Sequence, residues 1–202
     1  MFISLEGLDG SGKTTQFHRL AEALRGRGRD VLALREPGGT AIGEQVRDIL
    51  HDHKHTDMDA RAELLLYCAS RAQLMAQRIQ PHLQSGGVVV CDRFADSTLA
   101  YQGYGRGLEL NLLRALLSFA THDISPSLTL YFEVPVDVGL ARRAKGEEFN
   151  RMDAQSLEFY QRVEAGYRTL VLAEPGRWCV VDATQPIDDV TANMLQVVVP
   201  KL

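Results

Sequence analysis

Apolar residues along the chain follow two different periods. Five short runs, Phe2–Leu5, Asp30–Leu34, Gly87–Cys91, Leu128–Val134 and Trp178–Asp182, predict strands, and four of them are continuous instead of alternating. Continuous runs belong to parallel strands covered on both faces. After the first run, Phe17, Leu20, Ala21 and Leu24 recur at i, i+3, i+4 and i+7, the spacing of one helical face, and Gly26 and Gly28 mark its end. A long helical stretch is predicted from about Asp59 to Leu83, closed by the turn Ser85-Gly86-Gly87, and further helices at Leu108–Ala120, Val136–Lys145, Gln155–Ala173 and Ile187–Val198. Strands alternating with helices predict an α/β fold: a doubly wound parallel sheet with right-handed crossovers, flanked by helices.

A chain of 202 residues can build one full hydrophobic core, and a single domain over 1–202 is expected, with no internal repeat, low-complexity tract or linker. The net charge of −4 argues against a nucleic-acid polymer as partner, because such binding needs Lys and Arg clustered over a whole face. Any anion site must be local. Cys68, Cys91 and Cys179 lie far apart without a C-x-x-C pair, which predicts buried free thiols in a reducing cytosol. The start, MFISLEG, lacks a basic region, and no segment approaches the ~20 apolar residues of a membrane helix, so a soluble cytoplasmic protein is expected. His51-Asp52-His53-Lys54-His55 carries metal-binding residue types, but in a polar, loop-like stretch; it is read as a solvated surface loop without function.

Residues 7 to 15, GLDGSGKTT, fit G-x-x-x-x-G-K-[ST] between a predicted strand and a predicted helix. In that context the backbone N–H groups of Gly7, Leu8, Asp9, Gly10, Ser11 and Gly12, with Lys13, Thr14 and Thr15, form a phosphate cradle, and the Thr14 hydroxyl is a Mg²⁺ ligand. Lys13 is the only cation of this loop, so the remaining phosphate charge needs cations from elsewhere. Val88 to Arg93, VVVCDR, ends the third run. Asp92 stands where P-loop proteins hold Mg²⁺. Arg93 follows, a planar cation suited to clamping phosphate oxygens, which points to an acceptor that is itself a phosphate. A surface ion pair is the competing reading of Arg93. Such an acceptor is already ionised and needs charge neutralisation and alignment more than a general base.

FISLEGLDGSGKTTQ, LREPGGTAIGE and DRFADSTLAYQGYGRG together resemble the thymidylate kinase family, from residue 2 to about residue 190. The resemblance implies a P-loop kinase fold with a five-stranded parallel sheet, transfer of the ATP γ-phosphoryl group to dTMP, and a homodimer. It gives Asp9 a hydrogen bond from the acceptor's 3′-hydroxyl and makes Arg93 the bridge between the acceptor phosphate and the transferring group. Glu36, in the turn from Arg35 to Thr40, would order Mg²⁺-bound water or the acceptor. By the same resemblance Tyr67 stacks on thymine, Arg71 reaches the base O4, Thr98 lies near the ring, Tyr101 excludes a ribose hydroxyl at C2′, and Gln102 completes the substrate set. The turn Val180 to Thr184 would pass the adenine ring.

Arg142, Arg143, Lys145 and Arg151 surround Gly146 in a polar stretch that resembles the family's lid, here a mobile segment at about 142–153. In one branch of the family the phosphate loop lacks an arginine and the lid supplies the cation; this loop reads as that branch. A cation so delivered is worth on the order of 10³ to 10⁵ in rate. The family pattern R-G-x-x-D-R-x-E is altered here, with Lys145 for Arg, Asn150 for Asp and one more residue between Gly146 and Arg151. The donor-phosphate cation is assigned to Arg151 first, and to Arg143 or Arg142 second. Two other readings stand beside this one. One is a deoxynucleoside kinase or another nucleoside monophosphate kinase, and a kinase acting on a sugar hydroxyl would want a carboxylate base near it; the other is a nucleotide switch or regulatory binding module, and a guanine switch would want N-K-x-D, which does not occur.

Overall fold

The computed structural model describes residues 1–145 and 150–202. Its strands are β1 (Phe2–Glu6), β2 (Val31–Arg35), β3 (Val88–Asp92), β4 (Leu128–Glu133) and β5 (Trp178–Asp182), and they form one parallel sheet in the order β2-β3-β1-β4-β5. The continuous apolar runs have their expected cause: β1 is buried throughout, whereas the edge strands β2 and β5 are only partly covered. Order reverses at β1, whose neighbours are β3 on one side and β4 on the other. The crevice at the carboxyl ends of these central strands is where an open α/β sheet binds ligands.

The helices are α1 (Lys13–Arg25), α2 (Ala41–His51), α3 (Ala60–Leu74), α4 (Gln80–Gln84), α5 (Ala95–Thr98), α6 (Leu110–Thr121), α7 (Val136–Arg143), α8 (Leu157–Ala173) and α9 (Ile187–Val198). One core side, built on Ile3, Leu5, Leu20, Leu24, Val90 and Phe132, seats α1 and α9. The other, built on Tyr101, Tyr131, Tyr160, Tyr167 and Trp178, seats α8 and the chain after β3.

The expected long helix is present, but its turns widen to π geometry over Met75–Ile79 before α4. Pro81, at the start of α4, explains this: proline lacks an N–H and its ring clashes with the carbonyl four residues back, and a wider turn relieves both. A second π segment, Leu99–Gly105, continues α5 and carries Tyr101 and Gln102. Sequence periodicity also missed α2, although Ile42, Val46 and Ile49 are helically spaced and the Thr40 side chain caps it by accepting from Gly43 N. The supposed loop at His51–His55 therefore starts inside a helix, and only its later residues are exposed. No helix among the described residues is long and apolar enough to cross a membrane.

Candidate active site

The loop between β1 and α1 turns on glycines in the left-handed region, with Gly10 at φ 76° and Gly12 at φ 84°. Gly10 is also required by contact: a Cβ there would lie 2.0 Å from the Gly139 carbonyl oxygen of α7. Helix α7 thus rests on the loop, and its last turn brings Arg142 and Arg143 over it. A cavity of about 340 Å³ results, lined by Asp9, Gly10, Lys13, Thr14, Arg142 and Arg143, among others. Arg142 Nη1 donates to Ala183 O at 2.9 Å, tying α7 to the turn after β5.

A larger cleft of about 830 Å³ adjoins it and shares Asp9, Lys13, Thr14 and Arg143. Its lining also contains Glu36, Tyr67, Arg71, Arg93, Thr98, Tyr101 and Gln102. The cleft therefore gathers every substrate residue predicted from the sequence. Arg93 lines the larger cleft and is bonded to Asp9, which borders both spaces. Its backbone is left-handed at φ 68°, a strained conformation for arginine, and is held by Glu6, which accepts from Phe94 N at 2.8 Å and Ser97 Oγ at 2.5 Å. The guanidinium donates to Gly7 O at 2.9 Å and Asp9 Oδ1 at 2.8 Å and covers the Tyr101 ring.

Electrostatics follow from this crowding. Burial pushes the Asp9 carboxyl up, but the Arg93 and Lys13 charges outweigh it and bring it to about 2. Burial and the Arg93 charge lower Lys13 to about 8, against the pull of Asp9, Asp92 and Glu6. The Lys13 ammonium donates to Leu8 O at 2.7 Å and Ser11 Oγ at 3.3 Å. Glu36 and Arg71 form a buried pair at 2.6 Å; burial pushes the Glu36 carboxyl up while Arg71 opposes it. Thr14 Oγ1 donates to Asp92 Oδ2 at 3.1 Å, and Asp92 Oδ1 is buried without a protein partner. A hydroxyl beside an orphaned carboxylate oxygen fits the oxygen ligand set of a hard divalent cation.

A model of the family "Thymidylate kinase" matches residues 5–194. The chain belongs to the thymidylate kinase family. A thymidylate kinase of Roseiflexus sp. (strain RS-1) is 45% identical over 214 residues, with 100% of this chain and 95% of the relative covered. That of Bacillus pumilus is 44% identical over 200 residues, covering 98% and 94%. The crystal structure of thymidylate kinase from Ehrlichia chaffeensis superposes with a TM-score of 0.79 at 36% identity, covering 98% of this chain and 97% of that one. As a member of the thymidylate kinase family the chain is a nucleoside monophosphate kinase with a P-loop fold, and ATP is the family's phosphoryl donor.

One placement departs from expectation within the kinase. Arg151, ranked first as donor-phosphate cation, is buried in a 3₁₀ turn (Arg151–Ala154), where it donates to Leu50 O at 2.9 Å and Glu63 Oε2 at 2.5 Å. It lines neither cavity. A buried arginine finds its lowest energy beside a buried carboxylate, and Glu63 is that carboxylate. Arg143, ranked second, lines both spaces and is itself held by Asp153 through Nε at 2.7 Å and Nη2 at 2.8 Å. Residues Gly146 to Phe149, the middle of the expected lid, lie outside the described residues.

Among the cleft residues that escaped sequence reading, two are titratable neighbours on one helix. Arg47 and His51 are one turn apart on α2, and both line the cleft. Burial and the Arg47 charge lower His51 to about 4, so its imidazole is neutral near pH 7. The signal that would have found them is the helical spacing of α2 itself.

Proposed function

We propose that the chain transfers the γ-phosphoryl group of ATP to dTMP, giving dTDP and ADP, with Mg²⁺ at the donor phosphates. One observation carries the reading: the Arg93 guanidinium lines the larger cleft and is anchored by Gly7 O and by Asp9, a residue that the cleft shares with the phosphate-loop cavity. ATP takes the loop, with the backbone from Gly7 to Gly12, Thr15 and the Lys13 ammonium on its phosphates. Thr14 and Asp92 would hold the Mg²⁺. When bound, that ion supplies neutralisation of the β- and γ-phosphate oxygens.

The acceptor phosphate oxygen attacks the γ-phosphorus while its bond to the β–γ bridging oxygen breaks, and ADP leaves with that electron pair. No proton needs removal from an ionised phosphate, so Arg93 aligns the acceptor and offsets the developing charge instead of serving a base. Arg143 is the cation for the transferring group, because it borders both cavities. With Arg142 it belongs to a lid that we place at residues 142–153.

In the larger cleft Tyr67 stacks on thymine. Glu36 takes Nε and Nη2 of Arg71, Phe94 O also takes Nη2, and Thr98 takes one hydrogen of Nη1, which leaves the other Nη1–H for the base O4. Thr98 fixes that arginine beside the ring, Asp9 accepts from the 3′-hydroxyl, and Glu36 Oε1, buried without a protein donor, orders water or the acceptor. Exposed Ile42, Ile49, Leu65, Leu112 and Phe119 on the adjoining helices α2, α3 and α6 support a homodimer through that face. We place the enzyme in the cytoplasm, where ATP is abundant and its three cysteines remain free thiols.

The test is an acceptor panel of dTMP, dUMP, AMP and thymidine with ATP and Mg²⁺. Turnover of dTMP well above the others is expected. Activity on thymidine with none on dTMP would overturn the assignment.

A further inference from the structure

Gln102 is buried on the wall of the larger cleft, on the π-turned segment after α5. Its Nε2 donates to Glu63 Oε1 at 2.7 Å. Glu63 has no exposed surface, and its carboxylate also accepts from Arg106 Nε at 3.2 Å, Arg106 Nη2 at 3.0 Å and Arg151 Nη2 at 2.5 Å. Burial alone would push the Glu63 carboxyl up; hydrogen bonds and charge from Arg106, Gln102 and Arg151 outweigh it and hold the carboxyl below its ordinary range. An ionised carboxylate only accepts hydrogen bonds, so the amide NH₂ must face it. The reversed amide would set oxygen against oxygen in a buried place and leave two acceptors unmatched, which is costly. Gln102 Oε1 is thereby turned away from Glu63, on a residue that lines the cleft.

We propose that Glu63 is a positioning residue that fixes the Gln102 amide with its oxygen toward the acceptor base, so that the site reads a ring N–H and favours thymine over cytosine. The inference rests on the reading of this cleft as the dTMP site. Thymine carries a hydrogen on N3, a donor that Oε1 can accept. Cytosine has a bare N3 lone pair, which would oppose that oxygen. Arg71 reads the neighbouring O4 edge with a donor, so the two side chains together present an acceptor beside a donor, the complement of the thymine N3–H and O4. Without Glu63 the amide could rotate and offer its NH₂ to cytosine N3.

The test compares kcat/KM for dTMP and dCMP, with ATP, in the wild type, Glu63→Gln and Arg106→Gln. Glutamine at 63 can donate as well as accept, so it no longer dictates the amide's direction. The dTMP/dCMP ratio is expected to fall roughly tenfold or more in Glu63→Gln, through loss on dTMP and gain on dCMP, since mismatched polar contacts dominate such discrimination. Arg106→Gln removes another donor from the same carboxylate while Arg151 and Gln102 still face it, and the ratio is expected to stay within about twofold. A Glu63→Gln enzyme that loses activity equally on both acceptors overturns the inference, because damage to structure alone would act in that way. A wild type without preference for dTMP sinks the functional reading itself, which is a separate outcome. Should Glu63→Gln not fold, Gln102→Glu and Gln102→Met carry the test. A protonated glutamic acid gives its one O–H to Glu63 and keeps a carbonyl toward the base, so it should retain the preference that methionine loses. Equal loss in both variants would overturn the inference.

Discussion

Arg93 Nη2 stands 2.8 Å from Asp9 Oδ1, joining the chain after β3 to the phosphate loop after β1. Neighbouring strands β1 and β3 deliver the two residues, and the left-handed backbone at Arg93 aims the guanidinium along the sheet's carboxyl edge. Arg93→Ala should therefore lower kcat by at least ~10², the scale of a lost transition-state donor. Arg93→Lys should remain well below wild type, since a point charge cannot hold Gly7 O, Asp9 and two phosphates as a planar fork does. Steady-state kinetics with dTMP and ATP check both; near-normal turnover in Arg93→Ala would remove it from the mechanism.

The lowered Lys13 ammonium sets a basic limb. Its ordinary value is 10.5, and burial with the Arg93 charge brings it to about 8. Only the protonated form neutralises phosphate, so kcat/KM for ATP, which reports the free enzyme, should fall roughly tenfold per pH unit above about 8. Bound phosphates favour the charged form, and the kcat limb should lie at higher pH. Glu6 contacts the Arg93 loop and, through burial and Asp96, is raised to about 7 from 4.5, so it titrates nearby. Profiles measured in Glu6→Gln as well separate the two groups: the limb near 8 should persist. A kcat/KM that stays flat to pH 9.5 in both enzymes would refute the role given to Lys13.

Local signals made the frame readable. The five apolar runs map onto the five strands within a residue or two, because parallel strands covered on both faces must be apolar throughout. Cleft residues Tyr67, Arg71, Thr98, Tyr101 and Gln102 were found through the family resemblance, which carries tertiary information that spacing lacks. Arg151 shows where this stopped. Asn150 and Asp153 near it in sequence are polar, yet it is buried, because Glu63 lies 88 residues earlier in the chain and only the fold brings the two together. Periodicity is blind to a long-range ion pair. The π segments were equally hidden, since they arise from a proline clash and from packing on α8, not from a local pattern.

The two candidate lid arginines should separate experimentally. Arg143 borders both cavities, so Arg143→Ala should reduce kcat by about 10² or more, with a smaller fall in unfolding midpoint than Arg151→Ala, since Asp153 still accepts from Asn150 N. Arg151 is one of the partners that neutralise buried Glu63, and breaking a buried pair from one side costs about 3–5 kcal/mol. Arg106 still faces that carboxylate, so the lower end applies. Arg151→Ala should thus show a clear fall in unfolding midpoint, with kcat per folded molecule nearer wild type. Denaturant unfolding beside kinetics decides it; the opposite pattern, a stable Arg151→Ala with kcat reduced a hundredfold, would restore Arg151 to the chemistry.

Tyr101 presents its hydroxyl 3.4 Å from Asp9 Oδ2, and its ring packs edge-on against Phe159 at 6.1 Å and Tyr167 at 6.3 Å. With the Arg93 guanidinium 5.0 Å from its centroid as well, the ring is held on three sides. The family resemblance implies that this ring lies beside C2′ and excludes a ribose hydroxyl by steric conflict, with Asp9 accepting from the 3′-hydroxyl. Tyr101→Phe keeps the wall and loses only the hydroxyl, so discrimination between dTMP and its ribonucleotide should persist. Tyr101→Ala opens the space, and the preference for dTMP should drop by about tenfold or more, on the scale of a small steric group in a specificity pocket. The relative kcat/KM for the two acceptors is the measurement. Equal discrimination in the wild type and Tyr101→Ala would show that the sugar is read by another part of the cleft.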